Sequence, residues 1–269
     1  MEEETHRGNY TIKELSIEER IPSLLIRRGT RNKPAVIYVH GAFLWKEYDL
    51  GLILRLADRG FVVLAIDAVK HGKRVPFVAK EYMQLFKDAE ENFPKMETSI
   101  FTETAKDIPA TIDYLEEYEG IENFGISGYS MGGFVALVAA SLDKRIKAVA
   151  SFGAGGDWKY LFERSSFPKL MEFKARTKDK LDFETAQLVS TWDPLNRADK
   201  MPPCAVLLLN GKIDNVVPRE CAERLYEALK PHYRGFPERL CLAEYRCGHE
   251  VTPKMERKAI SWLTRNLSP

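Results

Sequence analysis

Residues 121–141 read IENFGISGYSMGGFVALVAAS: a short apolar run, a turn through glycines around one serine, and a long run of small apolar residues. Within it, Gly128-Tyr129-Ser130-Met131-Gly132 fits G-x-S-x-G, with a strand pattern before it and a helix pattern after it. A strand that turns straight into a helix brings two backbones together at the corner, where a β-carbon at 128 or 132 would clash; Gly133 extends the same allowance. Such a turn holds Ser130 in a strained conformation with its hydroxyl above the sheet, and strain of this kind is retained where function requires it. The pentapeptide alone carries little weight, so the surrounding chain has to supply the rest.

Upstream, YTIKELSI and RIPSLLIRR alternate apolar and polar residues and predict two antiparallel strands. The pattern then changes to continuous apolar runs: AVIYVH (35–40), a helical stretch from about Lys46 to Arg59 closed by Gly60, and FVVLAID (61–67). The alternation continues with a helix near 99–119 that Pro109 could kink, strand NFGIS and helix 131–142. Strands KAVASF and CAVLLLN follow, then a helix near 218–230, strand RLCLAEYR and a last helix containing MERKAISWLTRNL. Doubly buried strands alternating with helices imply an α/β fold: a mostly parallel sheet of about eight strands covered on both faces. Residues 69–98 show no strand. The segment 153–200 is rich in aromatic residues, Trp158, Tyr160, Phe162, Phe167, Phe173, Phe183 and Trp192 among them, which predicts a small inserted helical cap on a single domain spanning 1–269.

A serine hydroxyl becomes a nucleophile when a base takes its proton and an acid orients that base, in the chain order Ser, Asp or Glu, His. Of the five histidines, His6, His40, His71, His232 and His249, the last lies in EYRCGHEVTP between the final strand and the final helix, where a base above the sheet must sit. Asp214, in LLLNGKIDNVVP just past an apolar strand, occupies the carboxyl end at which sites of open α/β sheets assemble. Ser130, Asp214 and His249 are therefore the expected catalytic residues. The oxyanion donors are expected to be the backbone N–H groups of Met131 and of the loop His40-Gly41-Ala42-Phe43, with Ala42 favoured and Phe43 next in line. His40 itself reads as a buried structural residue. Phe43, Tyr129, Trp158 and Phe162 are the candidate pocket residues.

With these residues in place, the chain resembles serine hydrolases of the α/β-hydrolase superfamily over about residues 10–267. The stretch HGAFLWKEYDLGLILRLADRGFVVLAIDAVKHGKR is similar to small bacterial esterases of the dienelactone hydrolase and prolyl-oligopeptidase-like branch, and LNGKIDNVVP to their acid loop, with Asn210 in place of the usual first residue. The resemblance implies an α/β-hydrolase fold and structural roles for Asp67, His71 and Gly72; a lining role for His71 or Arg74 is the alternative. Ala42 stands where many such esterases carry an aromatic residue, so either the pocket is wider there or Phe43 supplies the wall.

Composition narrows the partners. Forty basic against thirty-nine acidic residues leave a net charge of +1, so no global field draws the chain to nucleic acid or an anionic membrane. The polar N-terminus lacks the features of a signal peptide, and no apolar run approaches the roughly 18 residues that span a bilayer, which predicts a cytoplasmic protein. Cys204, Cys221, Cys241 and Cys247 lack metal-site spacing and read as buried thiols. The expected activity is that of a serine carboxylesterase on a small-molecule ester, with no cofactor and no metal. A thioesterase or small peptidase with the same residues, and an inactive hydrolase-fold binding module, are the alternatives. Whether the chain forms a homo-oligomer is unknown from its sequence.

Overall fold

The computed structural model describes residues 3–29, 33–75, 79–178 and 180–267, with the backbone alone for residue 3 and residues 79–91. Met1 and Glu2 of the polar N-terminus and Asp179 within the 153–200 segment lie outside the described residues. Strands β1 (Glu3–Arg7), β2 (Tyr10–Ile17) and β3 (Ile21–Arg28) lead into β4 (Ala35–Val39), α1 (Leu50–Asp58) and β5 (Val62–Ile66). Helix α2 (Ala79–Glu119), β6 (Phe124–Tyr129), α3 (Met131–Leu142) and β7 (Ile146–Phe152) follow. Then come α4 (Trp158–Arg164), α5 (Pro168–Thr177), α6 (Phe183–Trp192), β8 (Ala205–Gly211), α7 (Glu220–Leu229), β9 (Leu240–Tyr245) and α8 (Pro253–Leu267).

One nine-stranded sheet runs in the order β1-β2-β3-β5-β4-β6-β7-β8-β9. Its first three pairings are antiparallel, and every pairing from β5 through β9 is parallel. Side chains along each strand alternate between two apolar layers: Ile37, Val39, Val206 and Leu208 face one, Val36, Tyr38, Leu207 and Leu209 the other. Helices α1 and α8 cover the second layer with Leu52, Ile53, Leu56, Trp262 and Leu263, while α2, α3 and α7 cover the first. Burial on both faces is why the central strands read as unbroken apolar runs. Helix α3 is buried from Met131 to Ser141 because it is enclosed between sheet and α2, which is what its all-apolar, small-residue sequence specifies. No helix among the described residues is long and apolar enough to cross a membrane.

Three elements differ from the sequence reading. A ninth strand, β1, joins the sheet edge; residues 4–7 are exposed and pair with β2 through the main chain, so EETHR needs no apolar alternation. Helix α1 begins at Leu50 rather than near Lys46, the preceding residues being spent on turns after β4. Helix α2 reaches back to Ala79, into the stretch that shows no strand, and its break falls at Asn92 (φ −151°, ψ 79°) while Pro109 lies within it. Asn92 caps the second part: its Oδ1 accepts from the Lys95 N–H at 3.1 Å, and Pro94 sits in the first turn, where its missing N–H costs nothing.

Candidate active site

The corner between β6 and α3 is as tight as its glycines imply. A β-carbon added at Gly132 would lie 1.9 Å from the Val39 carbonyl oxygen, and one at Gly128 2.4 Å from the Gly132 carbonyl. The elbow is thus pressed against the end of β4. Ser130 takes φ 52° and ψ −114°, a conformation a side-chain-bearing residue adopts only when its surroundings enforce it. Its N–H donates to the Phe152 carbonyl at 2.8 Å, which fixes the corner to β7.

The hydroxyl so placed meets two groups from distant parts of the chain. His249 lies in the loop between β9 and α8, and its Nε2 is 2.8 Å from Ser130 Oγ. His249 Nδ1 is 2.7 Å from Asp214 Oδ2, in the loop after β8. Asp214 Oδ1 accepts from the N–H groups of Val216 and Val217, each at 2.9 Å. The carboxylate is thereby oriented with Oδ2 toward the ring, Nδ1–H donates to it, and Nε2 is left to accept from the serine hydroxyl. Tyr129 donates its hydroxyl to the His249 carbonyl at 2.8 Å, and its ring lies 5.1 Å from the imidazole. An arrangement of this kind can move a proton from Ser130 to His249 while the carboxylate stabilises the resulting cation.

The loop after β4 is held from behind. His40 is fully buried; its Nε2 accepts from the Ala68 N–H at 3.1 Å, so Nδ1 carries the proton and donates to the Gly41 carbonyl at 2.8 Å. Burial pushes its pKa down to about 4, which keeps the ring neutral. The Gly41 carbonyl also accepts from the Leu44 N–H. In a trans peptide the Ala42 N–H points opposite to that carbonyl, and Ala42, Ser130 and Met131 line one cavity. The Met131 N–H opens α3 and has no partner within the helix. Ala42 and Met131, the residues that carry these two N–H groups, thus both line the cavity beside the serine. Asp67 braces the neighbouring loop, accepting from the N–H groups of Lys46 and Lys73 at 2.9 Å each. His71 is tied to the Val69 carbonyl and Arg74 to Asp107, and neither lines the cavity.

That cavity, about 200 Å³, opens beside Ser130. Phe43, Tyr129 and Phe162 line it, as their sequence positions suggest. Trp158 does not: it is fully buried one layer behind, its ring against Phe101 at 5.2 Å and Phe134 at 6.2 Å. Phe43 is 60% exposed at the mouth and stacks on Phe167 at 6.1 Å. The wall that sequence reasoning missed is α2, which contributes Phe93, Glu97 and Phe101. Their spacing of four was the available signal, broken up by a polar residue in the middle.

A model of the dienelactone hydrolase family matches residues 21–234. YitV of Bacillus subtilis (strain 168) is 26% identical over 253 residues, covering 90% of this chain and 94% of that protein. The esterase YjfP of Escherichia coli (strain K12) is 25% identical over 240 residues, covering 87% and 89%. Among solved structures, TT1662 of Thermus thermophilus aligns with a TM-score of 0.73 at 23% identity over 96% of this chain and 98% of the other.

Proposed function

Since the chain belongs to the dienelactone hydrolase family, a family of hydrolases with the α/β-hydrolase fold, we propose that it is a serine carboxylesterase acting on small to medium carboxylic esters through an acyl-enzyme on Ser130. The observation that carries this reading is the unbroken hydrogen-bond chain from Ser130 Oγ through His249 to Asp214, at 2.8 and 2.7 Å.

In this reading Ser130 Oγ attacks the ester carbonyl as His249 Nε2 accepts its proton, and the carbonyl oxygen, now anionic, is held by the N–H groups of Met131 and Ala42. Each such donor is typically worth about 10²- to 10³-fold in rate. His249 returns the proton to the departing alcohol, the C–O bond to it breaks, and the acyl group remains on Ser130. Water then gives a proton to His249, attacks the acyl carbon, and releases the carboxylic acid with Ser130 restored. We read α4 to α6, which lie between β7 and β8 and pack against α2, as an inserted cap that supplies the apolar side of the pocket. The four unpaired cysteines accord with a reducing, cytoplasmic setting.

Hydrolysis of p-nitrophenyl esters across acyl lengths, with a thioester and an aminoacyl anilide in the same panel, tests the reading. Ester turnover that falls at least 10³-fold in Ser130→Ala supports it; full activity in that variant overturns it, and faster cleavage of the thioester or anilide reassigns the substrate class.

A further inference from the structure

On α2, Phe93, Glu97 and Phe101 recur every fourth residue and share the face that looks into the cavity. Two of these are what an apolar pocket requires. The third is a carboxyl, 7% exposed, for which the described residues supply neither a hydrogen bond nor an ion pair. Buried polar side chains are nearly always paired, and one left alone costs stability, so such a group calls for an explanation.

The other polar side chains lining the cavity are already engaged. Tyr129 donates to the His249 carbonyl, Ser165 to the Val216 carbonyl, and Ser130 and His249 face each other. Among the described lining residues Glu97 is the one polar side chain with no hydrogen-bond partner, and the other ionisable side chains there are those of Tyr129 and His249. Burial pushes the Glu97 carboxyl up to about 8, so near neutral pH it is uncharged, with one O–H to donate and lone pairs to accept. A hydroxyl satisfies both capacities. An aliphatic chain satisfies neither, and an ammonium group would first require the carboxyl to lose its proton.

The part of an ester best suited to this cavity is the acyl chain. It stays bound to Ser130 after the alcohol departs, and the inner wall, Phe101, Phe134 and Leu161, belongs to the main core. Resting on the esterase reading, we propose that Glu97 is a specificity determinant that hydrogen-bonds a hydroxyl on the acyl chain, so that the preferred substrates are esters of hydroxy acids rather than of plain aliphatic acids.

The test compares kcat/KM at pH 7 for methyl heptanoate, methyl 6-hydroxyhexanoate and methyl 6-aminohexanoate, which differ only in the terminal group, together with methyl hexanoate and methyl 3-hydroxyhexanoate to vary reach. Wild-type enzyme is expected to favour at least one hydroxy ester over its aliphatic partner by about tenfold. Glu97→Gln, whose amide both donates and accepts, keeps most of that preference, and Glu97→Leu reverses it. A wild-type preference of unity or below for both hydroxy esters overturns the proposal without recourse to any variant. So does an unchanged ratio in Glu97→Leu accompanied only by a shift in melting temperature, which would mark Glu97 as serving the fold. An amino ester outrunning both others, increasingly so above pH 8, would overturn the uncharged partner in favour of a cation. Failure of the underlying esterase reading looks different: none of the five esters would be turned over.

Discussion

Replacing Gly132 by alanine tests whether the elbow is wedged against the loop whose Ala42 N–H is the proposed oxyanion donor. The new β-carbon would stand 1.9 Å from the Val39 carbonyl oxygen and 2.7 Å from that of His40, against the 3.4 Å at which ordinary contact begins. Both obstacles are backbone, so no rotamer change relieves them, and α3 or the end of β4 must retreat by about 1.5 Å. Overpacking of this kind costs about 1–3 kcal/mol, and the upper end applies where backbone meets backbone. For a chain of this size that corresponds to a fall of roughly 6–10 °C in melting temperature. The displacement also parts the Met131 N–H from the Ala42 N–H, and a 1 Å misplacement around reacting atoms can lower kcat by about 10²-fold. Differential scanning calorimetry and ester turnover on the same preparation read both effects. A Gly132→Ala protein that melts within about 2 °C of wild type and keeps its kcat would refute the packing argument for the elbow.

Two further outcomes follow from the site. Asp214→Asn should leave the fold intact, because an amide oxygen can still accept from Val216 and Val217, yet lower kcat by about 10⁴-fold through loss of the oriented imidazole; a loss under tenfold contradicts the assigned role. His40 is neutral in the native protein at a pKa of about 4, whereas in the unfolded chain it takes a proton near 6.5. Its contribution is therefore fully present above about pH 6.5 and lost as pH falls toward 4, about 3 kcal/mol in all. Urea unfolding at pH 7 and pH 4.5 should show a smaller acid loss in His40→Gln than in wild type, and equal losses would mean that burial of a neutral ring is not what the acid limb reports.

The residues around Ser130 were legible because each follows a strand and sits in a loop at the same end of the parallel part of the sheet. Asp214 and His249 could be found from position alone, since only strand ends at that edge can reach the elbow. Phe93, Glu97 and Phe101 were not found, because the helix begins twenty residues before its apolar pattern becomes clear and the break at Asn92 depends on a side-chain cap. Trp158 illustrates a different limit. An aromatic-rich segment announces that it is buried, but which ring faces the cavity and which lies behind it is settled by packing against Phe101 and Phe134. Strand β1 left no trace in periodicity because both its faces meet solvent.

The central claim is that Ser130 is an activated nucleophile. Incubation of the intact protein with a fluorophosphonate, followed by whole-protein mass and peptide mapping, addresses it without knowledge of the natural substrate. The account predicts a single phosphonyl adduct on Ser130, abolished in Ser130→Ala and strongly slowed in His249→Ala. A folded wild-type protein that stays unlabelled, or carries the adduct on another residue, contradicts it.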